Sequence, residues 1–249
     1  MALVYAGKTD VGKKRDNNQD NFSISRIDEG FVLCTVCDGM GGANGGKTAS
    51  TLAQTTFDAY IRENIKKCEK NEYLELMKNA LKNANDVVFQ KAADNAELHG
   101  MGTTLVCCLC DGEKYYCIAV GDSRIYAITQ NALEQISHDH SYVQSLVDSG
   151  AITTDEARKH PNRNIITRAV GTDKELTGDV FIVECERING LLLCSDGLCG
   201  YIEHEQLEKI CLQNDEPKKC VNLLIETANN LSGADNITAV VVKNIMQEG

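Results

Sequence analysis

Nine short apolar runs, rich in Val, Ile, Tyr and Cys and separated by polar turns, recur at 3–8, 21–26, 31–37, 103–110, 114–120, 124–128, 180–184, 190–195 and 237–242. Runs this short, alternating or continuously apolar, predict strands of buried sheets and exclude an all-helical chain. Asp111-Gly112 between the fourth and fifth runs favours a tight turn, so these two strands are expected to form an antiparallel hairpin. Apolar residues at helical spacing, among them Leu52, Phe57, Tyr73, Leu76, Met77, Leu81 and Val88, predict two helices within 46–95, broken near 66–71. A second helical pair is expected at 205–212 and 217–231, where Pro217 suits a first turn. Strands, two helices, strands, two helices and a closing strand make an α+β chain with helices packed outside its sheets. The 249 residues can bury a large core, and residues 1–249 are read as one domain.

Charge narrows the function. Lys and Arg number 25 against 36 Asp and Glu, a net charge of −11, which argues against nucleic-acid binding and against an anionic membrane surface. An acidic surface of this kind favours basic peptides as partners. No apolar run approaches the roughly 18 residues of a membrane span, and Met1-Ala2-Leu3-Val4-Tyr5 has no basic region leading into an apolar one, so a cytoplasmic protein is expected. Twelve cysteines sit mostly inside apolar runs, as reduced, buried thiols do. Cys34-x-x-Cys37 and Cys107-x-x-Cys110 have the spacing of zinc ligands, but within strands residues three apart face opposite sides and cannot chelate one ion.

Residues 137–173 break the regular pattern. The segment is polar, carries His138, His140 and His160, and shows only short helical patterns at 141–149 and 154–159, which suits a flap.

The aspartates carry the chemistry. The run 31–37 ends at Asp38-Gly39, 115–120 at Gly121-Asp122, and 191–194 at Ser195-Asp196-Gly197, while Asp235-Asn236 opens 237–242. Each pair alone is ordinary turn chemistry. Gathered at one rim of paired sheets, the carboxylates would repel one another and call for cations. Oxygen donors suit Mg²⁺, Mn²⁺ or Ca²⁺ rather than zinc, and two such ions about 3.5–4 Å apart activate water and clamp a phosphate. Metal-assisted hydrolysis is the chemistry implied.

In order, Arg15-Asp16-Asn17-Asn18-Gln19-Asp20, Asp38-Gly39-Met40-Gly41-Gly42, Gly102-Thr103-Thr104, Gly121-Asp122-Ser123-Arg124, Ser195-Asp196-Gly197-Leu198 and Ala234-Asp235-Asn236-Ile237-Thr238 resemble the motif series of the metal-dependent PP2C (PPM) serine/threonine protein phosphatases, short bacterial type. The resemblance spans residues 5–243. It implies a four-layer α/β/β/α sandwich, two antiparallel sheets flanked by helix pairs, with a flap insert. It also implies two core Mn²⁺ or Mg²⁺ ions, bridged by Asp38, one held with the Gly39 carbonyl and the other by Asp196 and Asp235. Asp122 joins Asp196 at a weaker third ion, Asp20 orients the attacking water, Asn236 positions its neighbour, and Arg15 binds phosphate. The implied activity is hydrolysis of phosphoserine and phosphothreonine on proteins by direct attack of metal-activated water. Its implied partners are a Ser/Thr kinase and that kinase's substrates, met by a monomer.

Three departures stand out. Met40 replaces a histidine proposed as general acid in many eukaryotic members, Gln19 replaces a frequent Glu, and Lys47 stands where relatives are often acidic, with a surface effect expected. Gly45-Gly46-Lys47-Thr48 imitates the tail of a nucleotide-binding loop, but lacks its upstream glycine spacing, so close backbone packing is the better reading. Two other functions stay open: a weakly catalytic module that binds phosphoproteins, and a hydrolase of small phosphate esters.

Overall fold

Antiparallel pairing joins every strand to its neighbours in two sheets, seen in a computed structural model that describes residues 2–27 and 30–245. Met1 and residues 28–29 and 246–249, within the expected 1–249 span, lie outside the described residues. The chain opens with β1 (Ala2–Asp10), β2 (Asp20–Ile27) and β3 (Phe31–Met40), then the helices α1 (Gly42–Asn64) and α2 (Tyr73–Asp94). Next come β4 (Gly102–Thr103), β5 (Leu105–Cys110), β6 (Lys114–Val120), β7 (Arg124–Ile128) and β8 (Leu133–Gln135). The flap contributes α3 (Tyr142–Asp148) and α4 (Thr154–Lys159). The chain finishes with β9 (Asp179–Glu184), β10 (Gly190–Cys194), α5 (Asp196–Cys199), α6 (His204–Gln213), α7 (Pro217–Leu231) and β11 (Ile237–Ile245).

One sheet runs β1-β11-β10-β7-β8 and the other β2-β3-β5-β6-β9, with β4 paired to the end of β3. The expected hairpin is β5–β6, and Asp111 Oδ1 closes its turn by accepting from the amides of Glu113 and Lys114 at 2.9 and 2.8 Å. The layers follow from the alternation of side chains along each strand. Leu33, Leu105, Leu109 and Ile118 face Phe57, Ile61, Met77 and Leu81 of α1 and α2. Leu192, Val241 and Ala239 face Leu224, Ile225 and Leu207 of α7 and α6. Val36, Val106, Ile125, Leu191, Leu193 and Val240 fill the space between the sheets. The expected four layers are therefore present.

The two zinc-like spacings split across these layers. Cys34 and Cys110 lie between the sheets, whereas Cys37 and Cys107 lie under the helices, so neither pair can converge on an ion. All twelve cysteines are free thiols. No helix among the described residues is long and apolar enough to cross a membrane.

Some boundaries differ from expectation. The strand expected at 103–110 is interrupted at Thr104, whose amide turns away to donate to Asp38 O at 2.9 Å. Helix α1 starts at Gly42, inside the glycine-rich turn. The three-residue β8 and single-turn α5 have too few periodic residues to show as patterns.

Candidate metal centre and phosphate cleft

Sheet register brings the acids together. Asp20, the first residue of β2, pairs with Asp38 near the end of β3. Across the interface, Cys194 at the end of β10 pairs with Ala239 of β11, so Ser195-Asp196 and Asp235-Asn236 leave adjacent strands at the same rim. Asp122 follows the end of β6. An open cleft of about 1360 Å³ is lined by Arg15, Asp38, Gly39, Met40, Asp122, Asp196, Asp235 and Asn236, with Asn164 and Ile166 of the flap in its wall. Every residue expected at the metals or the phosphate borders it, except Asp20, which sits just beneath.

Threonines fix Asp38. Its amide donates to Thr104 Oγ1 at 2.9 Å, and its carbonyl accepts from Thr103 Oγ1 at 2.8 Å. Beside it, a Cβ on Gly39 would fall 2.0 Å from Gly46 O, so the glycine-rich turn packs backbone against backbone as expected, and any side chain would push the turn apart.

Asp20 is 1 % exposed. Its Oδ2 accepts from Ser195 Oγ at 2.7 Å and Thr238 Oγ1 at 2.6 Å, while Oδ1 is buried with no hydrogen-bond partner. Burial, aided by the charges of Asp196 and Asp235, pushes its carboxyl up to about 6 against the pull of those two hydroxyls. Asp38 stands well above the ordinary carboxylate range, first through burial and then through Asp20, Asp196 and Asp122. Burial and the charge of Asp196 likewise raise Asp122, whose Oδ1 is buried without a partner. Asp196 is raised by burial and the charge of Asp235, with Asp38 beside it pulling the other way.

Carboxylates gathered at one rim, two of them with a buried oxygen that has no partner, mark a place where positive charge is needed. The side-chain donors that line the cleft are acid and amide oxygens, suited to hard divalent ions. Among the described residues no three acidic, Cys or His side chains close into a ready cage, so further oxygen donors must complete the coordination. The residues fit Mn²⁺ or Mg²⁺.

Asn236 is a staple between distant segments. Its Oδ1 accepts from the Gln19 amide at 2.8 Å, and its Nδ2 donates to Val11 O and Asn17 O, both at 3.0 Å. The loop so held carries Arg15, whose Nη2 donates to Asp235 Oδ2 at 2.8 Å. Gln19 Nε2 donates to Gly42 O at 2.9 Å. Lys47 does more than the surface effect expected: its Nζ donates to Asp20 O at 2.9 Å and ties α1 to the acid's backbone.

The flap is anchored rather than loose at its roots. Asp139 receives a forked contact from Arg124, with Nη2 at 2.7 Å, and Arg163 stacks over Tyr201 at 5.2 Å. Sequence reasoning missed Thr103, Thr104, Ser195 and Thr238 as supports of the acids. One of them, Ser195, abuts an aspartate in its motif, which is the only local signal available.

The Protein phosphatase 2C family matches residues 11–242. The chain belongs to this family. It is similar to protein phosphatase PhpP of Streptococcus pneumoniae, with 37% identity over 94% of each chain. Its fold matches the crystal structure of serine/threonine phosphatase Stp1 from Staphylococcus aureus with a TM-score of 0.93, at 34% identity over 99% of this chain and 96% of that one. It also matches the catalytic domain of the serine/threonine protein phosphatase PstP in complex with two manganese ions, with a TM-score of 0.84, 32% identity and 97% coverage of both. Family membership accounts for the two-sheet sandwich and for acids at one rim of it.

Proposed function

We propose that this PP2C-family chain is a metal-dependent hydrolase of phosphoserine and phosphothreonine on proteins. The observation that carries the reading is the convergence of Asp38, Asp122, Asp196 and Asp235 with Arg15 on one open cleft. We assign Asp38, the Gly39 carbonyl, Asp196 and Asp235 to two core ions, Mn²⁺ or Mg²⁺, and Asp122 with Asp196 to a weaker third. Bound there, the ions would ease the loss of a proton from a water, making it a stronger nucleophile, and would supply positive charge for the phosphoryl oxygens.

The chain's own residues do the rest. Arg15, at the cleft mouth, grips two phosphoryl oxygens through its planar guanidinium. Asp20, braced by Ser195 and Thr238 through Oδ2, keeps an unpartnered Oδ1 with which it orients the attacking water. The water oxygen gives up a proton to solvent and bonds to phosphorus as the bond to the Ser or Thr oxygen breaks, and that leaving oxygen takes up a proton. Met40 has no proton to give, so solvent in the open cleft supplies it. No side chain is phosphorylated on the way.

The reaction that supplies such substrates is phosphoryl transfer to Ser and Thr, so a protein Ser/Thr kinase and its targets are the partners assigned. The alternatives, a phosphoprotein-binding module or a small-ester hydrolase, are separated by one comparison. Release of phosphate from a phosphothreonine peptide should exceed that from a simple alkyl phosphate by kcat/KM; the reverse order, or binding without release, would overturn the reading.

A further inference from the structure

His140 belongs to none of the roles above, yet it is 5 % exposed at the root of the flap and reaches one of the acid-bearing turns. Its amide donates to Gly121 O at 2.9 Å, and its Nδ1 accepts from the Gly121 amide at 3.1 Å. One residue thus takes both backbone hydrogen-bonding groups of Gly121. That glycine stands at φ +94°, and a Cβ on it would come within 2.5 Å of Thr104 Cγ2, so the turn is wedged between Thr104 and His140. The next residue is Asp122, whose buried Oδ1 has no partner.

The other side of the ring faces the flap and the sheet edge. Because Nδ1 accepts, the neutral ring carries its proton on Nε2, a tautomer assigned from this hydrogen bond. Nε2 lies 3.2 Å from Asp179 Oδ2 on β9, and Asp179 Oδ1 accepts from Arg168 Nη1 at 3.1 Å. The His140 carbonyl accepts from the Thr167 amide at 2.8 Å, where the flap returns.

We propose that His140 is a positioning residue, whose Nδ1 holds the Gly121-Asp122 turn so that the Asp122 carboxylate is set for the weakest metal site, and which joins that turn to the flap. This rests on the reading of Asp122 as a ligand. The energetic logic is that of any residue that orients a ligand: its loss weakens the metal without removing a donor, typically by about 10–100-fold.

Three substitutions separate the ring's two ends. Asn places an oxygen near the position of Nδ1, Gln places its terminal amide near Nε2, and Ala removes both. Calorimetric titration of the metal-free protein with Mn²⁺ reads the sites directly, and thermal melting in EDTA reads the fold. The weakest site should bind at least about 10-fold less tightly in His140→Gln and His140→Ala, with the tighter sites unchanged and His140→Asn within about 2-fold of wild type. Equal losses in Asn and Gln, or lowered melting with unaltered Mn²⁺ binding, would overturn the proposal. Asp122→Asn is the reference: if it leaves the weakest site intact, the ligand reading fails and this proposal with it. If it weakens that site while Gln and Ala at 140 do not, only the role of His140 fails.

Discussion

Arg15 Nη2 sits 2.8 Å from Asp235 Oδ2, a contact between the ends of the chain that exists because Asn236 pins the loop of residues 11–19 to the start of β11. The guanidinium is thereby delivered to the acids while its side chain stays 54% exposed. An exposed ion pair of this kind contributes only about 0–1 kcal/mol to stability. Arg15→Ala should therefore melt like wild type while kcat/KM for a phosphopeptide falls by about 30-fold or more, the size of a charge-assisted phosphate contact. Arg15→Lys should retain part of the activity, and steady-state kinetics with melting curves check both.

Thr238 Oγ1 donates to Asp20 Oδ2 at 2.6 Å beneath the cleft. Thr238→Val keeps the shape but leaves a buried carboxylate short of a donor, at a cost of about 1–3 kcal/mol. Denaturant unfolding should show that loss, with Thr238→Ser milder, and Mn²⁺ affinity should fall alongside.

Asp58 offers a pH-dependent contribution away from the acids of the cleft. It is 2 % exposed on α1 and accepts from Ser23 Oγ, from Thr35 Oγ1 at 2.8 Å and from Gln54 Nε2 at 2.6 Å, yet burial outweighs these donors and raises its carboxyl. A folded-state value above the unfolded one means that its contribution is full below the ordinary carboxylate range and fades as pH rises through the raised value. Asp58→Asn should remove that slope, so that the variant's stability no longer falls between acid and neutral pH through this group. Unfolding curves across this pH range, wild type against variant, provide the check.

Eleven of the twelve cysteines are buried and only Cys68 is partly exposed. An aromatic disulfide reagent should titrate at most about one thiol in the native protein, and all twelve after denaturation without reductant. Fewer than twelve after denaturation would show a disulfide and contradict the arrangement.

Legibility in the sequence followed the range of the interactions. Strands β6 and β7 and helices α4 and α7 have the bounds expected from their patterns, because strand alternation, helical spacing and Pro217 are local signals. Thr104 breaks its strand because of Asp38 on another strand, which no window of sequence contains. Asp38, Asp122, Asp196 and Asp235 could be found because each lies at one end of an apolar run. The supports could not, since Thr238 reaches Asp20 and His140 reaches Gly121 only once the sheets have paired.

The metal-centred account is tested most directly by phosphate release from a phosphothreonine peptide with Mn²⁺, with EDTA, and with Asp196→Asn in Mn²⁺. The account requires turnover with Mn²⁺, none with EDTA, and a loss of about 100-fold or more in the variant, which should fold normally because it relieves a crowded carboxylate. Turnover that survives EDTA, or an Asp196→Asn variant as active as wild type, would contradict it.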